Sequence, residues 1–427
     1  MYTTKTVDNQ KIWEWQRSDW TVRHDLGTGP VSYEDSISPE FYELEKQAFF
    51  ARRWLNVGHI CDLPESGSFF TKEIDVLGTS IVVARAPDGE VRAFHNSCPH
   101  RGNKIVWTDD PMAEMSGKCR LFRCKYHGWQ FDLKGNTVGV PDEAGFFDLD
   151  KAALRLKSVH CEIWNGLIFV NFAESPAESL EKSMGAIGAG IKEYPIDRFD
   201  FQFKYDGVVD SNWKLMHDAF SEHYHAAHLH GGLRGDLKGG AAKNHLLSFE
   251  VDDKGNRVAS LPGGSNDYMS PTQKVFGANV YGPIDAPDFG YKTMDDLPPM
   301  LNATRDPDWG VDMFGFGNMH LQIQQRNFIK VYRYWPLSHN RTRWEASIYF
   351  IKPETARQRL GMEMSRITFK DFGLQDVNLV SGTQQMLESR VRREFILSDE
   401  EVAVRHLHKI VNKAVEEYVA ELQGAAS

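Results

Sequence analysis

Two short segments of the chain pair a cysteine with a histidine: Cys98-Pro99-His100 and Cys124-Lys125-Tyr126-His127, with 23 residues between them. Each puts a thiolate and an imidazole on a tight turn, the donor set of a transition-metal site. Zinc is the generic reading of two Cys and two His, but zinc ribbons use Cys-x-x-Cys or Cys with a distant, spaced His pair. Cys-x-His followed by Cys-x-x-His instead suits a [2Fe–2S] cluster in which one iron takes both thiolates and the other both imidazoles. Replacing two thiolates by neutral rings raises its reduction potential. Gly102 and Gly128 let backbone amides approach the sulfurs, and Trp129 offers an aromatic shield. The remaining cysteines lack the pattern. The residue three after Cys119 is Phe122, while Cys61 and Cys161 have no histidine at ligand spacing and read as buried thiols.

With its flanking His100-Arg101-Gly102 and Tyr126-His127-Gly128-Trp129, this pattern resembles the large subunit of the Rieske non-heme iron oxygenases, the aromatic ring-hydroxylating family. The resemblance runs from about residue 40 to 420. The gap between the half-motifs is longer than is common in that family, and the extra residues, around Asp109 to Lys118, are expected to form a surface loop. A Rieske cluster moves one electron at a time, so oxygenation needs a second centre with open positions, for which two His and one carboxylate are the suited set. The run from Ser221 to His230 holds four histidines within eight residues, and two pairs, His223/His228 and His225/His230, share one spacing.

The resemblance selects between them. The family's motif is an acidic residue, a His three positions on and a His five further, which fits Glu222, His225 and His230; the other pair fails because position 220 is Phe. His223 and His228 then read as solvated or supporting residues. The third ligand is expected near the start of a late helix, at Asp376 within Gln375-Asp376-Val377-Asn378-Leu379-Val380; Asp371, five residues earlier, lacks that context. Asn212, ahead of Trp213-Lys214, matches a family Asn close to the iron. Glu222 stands where much of the family has Asp, and its implied role is to join His225 to a cluster histidine, His127, of a neighbouring subunit.

The implied protein is a terminal oxygenase with a Rieske [2Fe–2S] cluster and a mononuclear Fe(II). Electrons come from NADH or NADPH only indirectly, through a reductase and in some members a ferredoxin, because the chain shows no glycine-rich nucleotide motif after a strand. Dioxygen is the co-substrate. The family assembles as a head-to-tail trimer, homotrimeric or α3β3 with a small β subunit. Dihydroxylation and monooxygenation or dealkylation share one ligand set and stay open, as does a non-catalytic Rieske carrier fused to a ligand-binding domain. The segments expected around the substrate, 212–220, 231–299 and 313–333, are rich in Phe, Met, Tyr and Gln and favour a mostly apolar aromatic or alicyclic molecule. Arg234, Arg326 and Arg333 are candidates to meet a carboxylate on it.

The elements that must position these residues form an α+β chain. Pro39 to about Phe50 reads as a helix capped by Ser38. From Trp54 to Phe172 short apolar runs separated by turn residues predict a small all-β domain, the last run belonging either to it or to the next domain. A strand is expected at Phe201 to Tyr205, a helix from Asp210 or Ser211 to about His225, glycine-rich loops from Gly231 to Pro299, strands at 319–334 and 343–351, and a helix behind the Ser398/Glu401 capping box. The expected domains are an N-terminal helical segment over 1–50, the Rieske domain over 51–165 and a helix-grip catalytic domain, antiparallel sheet plus helices, over 166–427. With 59 acidic against 49 basic residues the net charge is −10, which argues against a nucleic-acid partner. Five cysteines in 427 residues exclude a disulfide framework, and the absence of a long apolar run or signal core leads to the expectation of a cytoplasmic protein with no membrane span.

Overall fold

The computed structural model describes residues 23–426 except 111–112, 231–245, 264–270, 277, 280–281, 284, 286, 288–290, 292, 308 and 326–327. Helix α1 (Pro39–Glu45) starts as its sequence dictates, with Pro39 in the first turn and the Ser38 hydroxyl accepting from the Phe41 amide at 3.1 Å. The chain then widens into a π-turn over Lys46–Phe50. A seven-stranded antiparallel sheet follows, built from β1 (Leu55–His59), β2 (Ser68–Ile74), β3 (Thr79–Arg85), β4 (Val91–His95) and β5 (Ser116–Lys118). A three-stranded ribbon of β6 (Phe122–Arg123), β7 (Gln130–Phe131) and β8 (Thr137–Gly139) carries one metal-binding loop, and β9 (Ser158–Trp164) and β10 (Leu167–Asn171) complete the sheet in the order β1-β10-β9-β4-β3-β2-β5.

The boundary expected at 165/166 falls inside a hairpin. Asn165 and Gly166, both at positive φ, form the two-residue turn between β9 and β10, which suits the twist of paired strands. A side chain at 166 would meet the Asp197 Cα at 2.6 Å, so only glycine fits. The run to Asn171 therefore belongs to the first sheet. The insertion around 109–118 is also more than a surface loop: β5 pairs with β2, and Glu114 reaches Lys72 at 3.0 Å and Arg343 of the second domain at 2.8 Å.

The second sheet is again seven-stranded and antiparallel, made of β11 (Phe201–Val209), β12 (Ser248–Val251), β13 (Arg257–Pro262), β14 (Trp309–Phe316), β15 (Met319–Gln324), β16 (Phe328–Ser338) and β17 (Arg341–Phe350). Its order is β11-β17-β16-β15-β14-β13-β12. Leu321, Ile323, Ile329 and Val331 face one hydrophobic core. Tyr332, Tyr334, Trp344 and Ile348 face another, together with Phe369 and Val380 of the long helix α4 (Ala356–Glu388). Where one continuous helix is expected up to His225, the structure has α2 (Trp213–Asp218), an irregular turn, and α3 (Ala226–Leu229). The break lets His225 turn its Nε2 toward Asp376 of α4. Helix α5 (Val402–Ala426) closes the domain behind the expected capping box, with Ser398 N and Oγ both within 3.0 Å of Glu401 Oε2. No helix among the described residues is long and apolar enough to cross a membrane.

α5 is fastened by a buried ion cluster. The His408 imidazole donates to Asp35 at 2.7 Å and to Asp218 of α2 at 3.1 Å, and Asn412 donates to Asp35 at 2.8 Å. Burial opposes the charge on His408, but the two carboxylates raise its pKa to about 10. Because that lies above the unfolded value of 6.5, the contribution is whole below about pH 6.5 and is lost as pH rises toward 10. His408→Leu is therefore expected to cost about 3 kcal/mol at neutral pH, the scale of breaking a buried ion pair. Urea titrations of both proteins at stepped pH should show that gap narrowing as the medium becomes alkaline.

Candidate metal centres

The two Cys–His segments fold into near copies of one loop. In the first, the Cys98 amide donates to the Asn103 carbonyl and the Gly102 amide to the Cys98 carbonyl, each at 2.9 Å. In the second, the Cys124 amide donates to the Trp129 carbonyl and the Gly128 amide to the Cys124 carbonyl, again at 2.9 Å. Gly102 and Gly128 both sit at φ 77°, the left-handed conformation that reverses each loop after its histidine. The thiols are buried and the His127 ring is exposed at the tip, with the His100 and His127 centroids 4.6 Å apart. Trp129 stacks on His100 at 5.0 Å with 2° between planes, the expected shield. Burial pushes the Cys98 thiol up to about 11, against the pull of the His100 and Arg101 amides, and the adjacent Cys124 adds to the rise. Two thiols facing each other under backbone amides call for a cationic cluster between them.

Zinc would draw all four donors onto one tetrahedron with edges under about 4 Å. Among the described residues, one group of three or more His, Cys, Asp or Glu donors closes to within 4.8 Å, and it is not this one. Two buried thiols beside two neighbouring rings on paired loops suit a two-iron cluster that takes both thiolates on one iron and both imidazoles on the other.

The group that does close is His225, His230 and Asp376. Both imidazoles give up Nδ1 to an outer acceptor: His225 Nδ1 donates to Glu222 Oε1 at 2.5 Å and His230 Nδ1 to Gln375 Oε1 at 2.8 Å. Both Nε2 atoms therefore turn inward, 3.4 and 3.2 Å from Asp376 Oδ1. Ligands at about 2.1 Å from one ion and at right angles stand about 3 Å apart, so the spacing is that of a facial triad. Asp376 Oδ1 is sealed from solvent without a well-formed hydrogen bond, an orphan that a metal ion would satisfy. Burial pushes the Asp376 carboxyl up, but His225 and His230 hold it below its ordinary value; His225, despite its own burial, is raised to about 10 by Asp376 and Glu222. The donor set fits a divalent cation.

Of the expected residues, Glu222, His225, His230 and Asp376 come together. His228 is exposed and outside the group, and so is Asp371. The resemblance led to the expectation of Asp376 near a helix start, whereas it lies well inside α4; Phe369, Phe372 and Asp376 share one buried stripe of that helix. Asn212 is a correction. Its Oδ1 caps α2 by accepting from the Lys214 amide at 2.9 Å, and its Nδ2 donates to the His339 carbonyl at 2.6 Å, so its side chain is committed to placing the helix. Arg333 is another: it points to the opposite face of the sheet, donating to Asn56, Ser347 and Tyr349. Arg234 and Arg326 lie outside the described residues. Gln375 was not singled out from sequence, although its place beside Asp376 and its amide carbonyl were the available signal.

These features define a two-centre metalloprotein: a cluster domain joined to a sheet-and-helix domain with a two-His-one-carboxylate pocket. Residues 53–159 match the family profile of the Rieske [2Fe–2S] domain, and residues 191–417 match that of the ring hydroxylating alpha subunit (catalytic domain). The chain belongs to the ring-hydroxylating alpha-subunit family, and its cofactors are a Rieske cluster and a mononuclear iron. It is 34% identical over 255 residues to the methanesulfonate monooxygenase hydroxylase subunit alpha of Methylosulfonomonas methylovora, and 32% over 251 residues to a benzene 1,2-dioxygenase subunit alpha of Pseudomonas putida. Those alignments cover 55% and 56% of this chain but only 60% and 54% of the relatives' own length. In fold it resembles naphthalene 1,2-dioxygenase from Rhodococcus sp., with a TM-score of 0.70 at 18% identity over 96% of this chain and 99% of that one. A quaternary ammonium Rieske monooxygenase matches at TM-score 0.69 and 21% identity, covering 91% and 96%.

Metal analysis of single variants checks the histidine register. His225→Ala and His230→Ala should each lose the mononuclear iron and keep the cluster's visible spectrum, while His228→Ala keeps both. Iron lost from His228→Ala and retained in His230→Ala would reverse the assignment.

Proposed function

We propose that the chain is the terminal oxygenase component of a multi-protein system, hydroxylating or cis-dihydroxylating an organic substrate with electrons from a separate reductase, with or without a ferredoxin. The observation that carries this reading is the pair of histidines whose Nδ1 atoms are occupied while their Nε2 atoms converge with a buried Asp376. In this reading His225, His230 and Asp376 hold the iron, and Cys98, His100, Cys124 and His127 hold the cluster. When bound, these groups supply one-electron transfer and dioxygen activation. The protein's part is to fix ring orientation through Glu222 and Gln375, and to keep Asp376 out of water under Phe372, whose ring lies 4.6 Å from that of His230. A purely ligand-binding domain would have no use for that triad.

The reading extends to assembly. Among the described residues, no hydrogen bond joins Glu222 to a cluster ligand of its own chain; its contacts run to His225. His127 and Tyr126 stand exposed at the tip of the cluster domain, and Tyr224 stands exposed beside Glu222. A head-to-tail trimer would bring the partner's His127 to the outer side of Glu222, so that one carboxylate accepts from two imidazoles and links the centres. The five cysteines, all free, suit a reducing cytoplasm. The inner face of the catalytic sheet, with Phe220, Met313 and Tyr332, suits an aromatic or alicyclic body.

Glu222→Gln tests the link. It keeps the shape but removes the charge and turns one acceptor into a donor. The variant is expected to retain cluster and iron and to be reduced normally by the external donor, while cluster oxidation in a single turnover with substrate and dioxygen slows by about two orders of magnitude or more. Stopped-flow absorbance follows it directly. Oxidation at the parent rate would show that electrons take another path.

A further inference from the structure

The inner face of the second sheet carries a cation with no ionic partner. Lys330 of β16 is 7% exposed, and among the described residues no carboxylate or hydrogen-bond acceptor engages its Nζ. The ammonium instead lies 4.9 Å from the ring centroid of Phe369 and 5.9 Å from that of Phe328. A buried unpaired ammonium is costly, and burial lowers its pKa to about 7 even though the Asp376 carboxylate favours the charge. The other two buried lysines among the described residues are matched: Lys214 by Glu45 at 2.7 Å, and Lys72 by Glu114 at 3.0 Å and by Glu345. Lys330 breaks that rule next to the triad.

Its neighbours are donors too. Gln322 stands directly opposite Lys330 across the β15–β16 ladder, and Gln324 is two residues further on the same face. Gln324 Nε2 donates to Gln322 Oε1, and Gln322 Nε2 to the Phe220 carbonyl, each at 3.4 Å. Each of those bonds uses one of the two N–H groups that an amide carries, leaving the other for a ligand. The patch is tied to the metal site by α4: Phe369, over the ammonium, and Asp376 are seven residues apart on one helix face, about 10 Å along the axis. That span accommodates one ring and a short polar substituent.

We propose that Lys330, with the amides of Gln322 and Gln324, anchors an anionic oxyacid group of the substrate, a carboxylate or sulfonate, and so turns an apolar body toward the triad. The inference rests on the oxygenase reading and narrows its substrate to an anion. It gives the role considered from sequence for Arg333 to a lysine that the register of β15 and β16 places beside two glutamines. The anion supplies the missing counter-charge, so the desolvation cost carried by the unliganded protein becomes selectivity against neutral molecules.

The test uses the iron-loaded holoprotein under anaerobic conditions, with binding measured by calorimetry. The probes are benzoate and benzenesulfonate, against their neutral counterparts nitrobenzene and methyl phenyl sulfone. At least one anion should bind the parent about tenfold or more tighter than its neutral counterpart. Lys330→Met should abolish that preference and leave the neutral affinity unchanged, and Lys330→Arg should restore most of it. Removing an unpaired buried charge should also leave Tm equal or higher, whereas a lysine needed to hold the fold would lower it. Anions bound no better than neutral counterparts by the parent, or an anion affinity that survives Lys330→Met, would overturn the proposal. Should Lys330→Met lose its cluster, Lys330→Gln takes its place under the same criteria. Iron content is read separately: iron-loaded protein indifferent to anions sinks only the anchor, whereas protein whose triad takes no iron sinks the oxygenase reading.

Discussion

His225 and His230 each surrender Nδ1 to a neighbouring side chain, and the geometry of the mononuclear centre follows from that. With Nδ1 engaged and both rings fixed, the two Nε2 atoms face a single carboxylate oxygen, and a cation entering between them would take the place of the Nε2 proton. The acceptors come from different places. Glu222 acts within its own turn, three residues before His225, whereas Gln375 reaches His230 from α4. Helix α4 thus supplies the carboxylate at 376 and, at 375, the group that aims the opposing histidine. Neighbours on a helix point about 100° apart, so one helix can grip His230 from two sides. This is why the carboxylate sits deep inside a long helix: an end that frays would lose both contacts together.

The same requirement shapes the sheet beneath α4. Strands β15 and β16 alternate between Leu321, Ile323, Ile329 and Val331 on one side and His320, Gln322, Gln324, Lys330 and Tyr332 on the other. In an ordinary two-faced sheet the polar series would meet water. Here it is buried as well, at a cost that packing alone does not offset. A polar series facing inward under a metal-binding helix is what a reaction chamber needs, since it orients a guest that the aromatic walls hold without direction.

Much of this was legible in the sequence, for physical reasons that differ between parts. The cluster loops were readable because their chemistry is local: each is a short segment whose cysteine, histidine and left-handed glycine must be close in sequence to turn around one sulfur. Glu222, His225 and His230 were readable because the motif is short, and Asp376 because the resemblance supplied its distant context. What escaped depends on long-range register. Gln375 acquires a role only when α4 lies against 222–230, and Lys330 only when β16 pairs with β15 so that it faces Gln322. Arg333, three residues from Lys330, points to the other side of the strand, where it serves the domain junction. Asn212 lies close in sequence to the ligands, yet the α2 N-terminus consumes its side chain. The break placed at 165/166 cuts a hairpin, because an apolar run such as 167–171 does not by itself say which sheet it joins, and only its pairing with β9 and β1 assigns it to the first.

The junction between the two domains bears on the electron path. Arg343 of β17 reaches Asp75 at 2.8 Å and Glu114 at 2.8 Å, Lys72 bridges Glu114 and Glu345, and Arg333 and Asn318 both bond to Asn56 of β1. Ion pairs and amides buried in this number add little net stability over a greasy contact, but they tolerate few alternative alignments. An apolar seam would let the cluster domain slide, whereas this one fixes its pose on the catalytic domain. In the proposed ring of copies, that pose would decide where each exposed His127 points relative to the next Glu222, and a rotation of a few degrees at the seam would be magnified at the tip. The insertion carrying Glu114 is thus best understood as a brace. It adds β5 to the sheet edge and a carboxylate to the junction, and so stiffens the seat of the cluster domain on the catalytic domain.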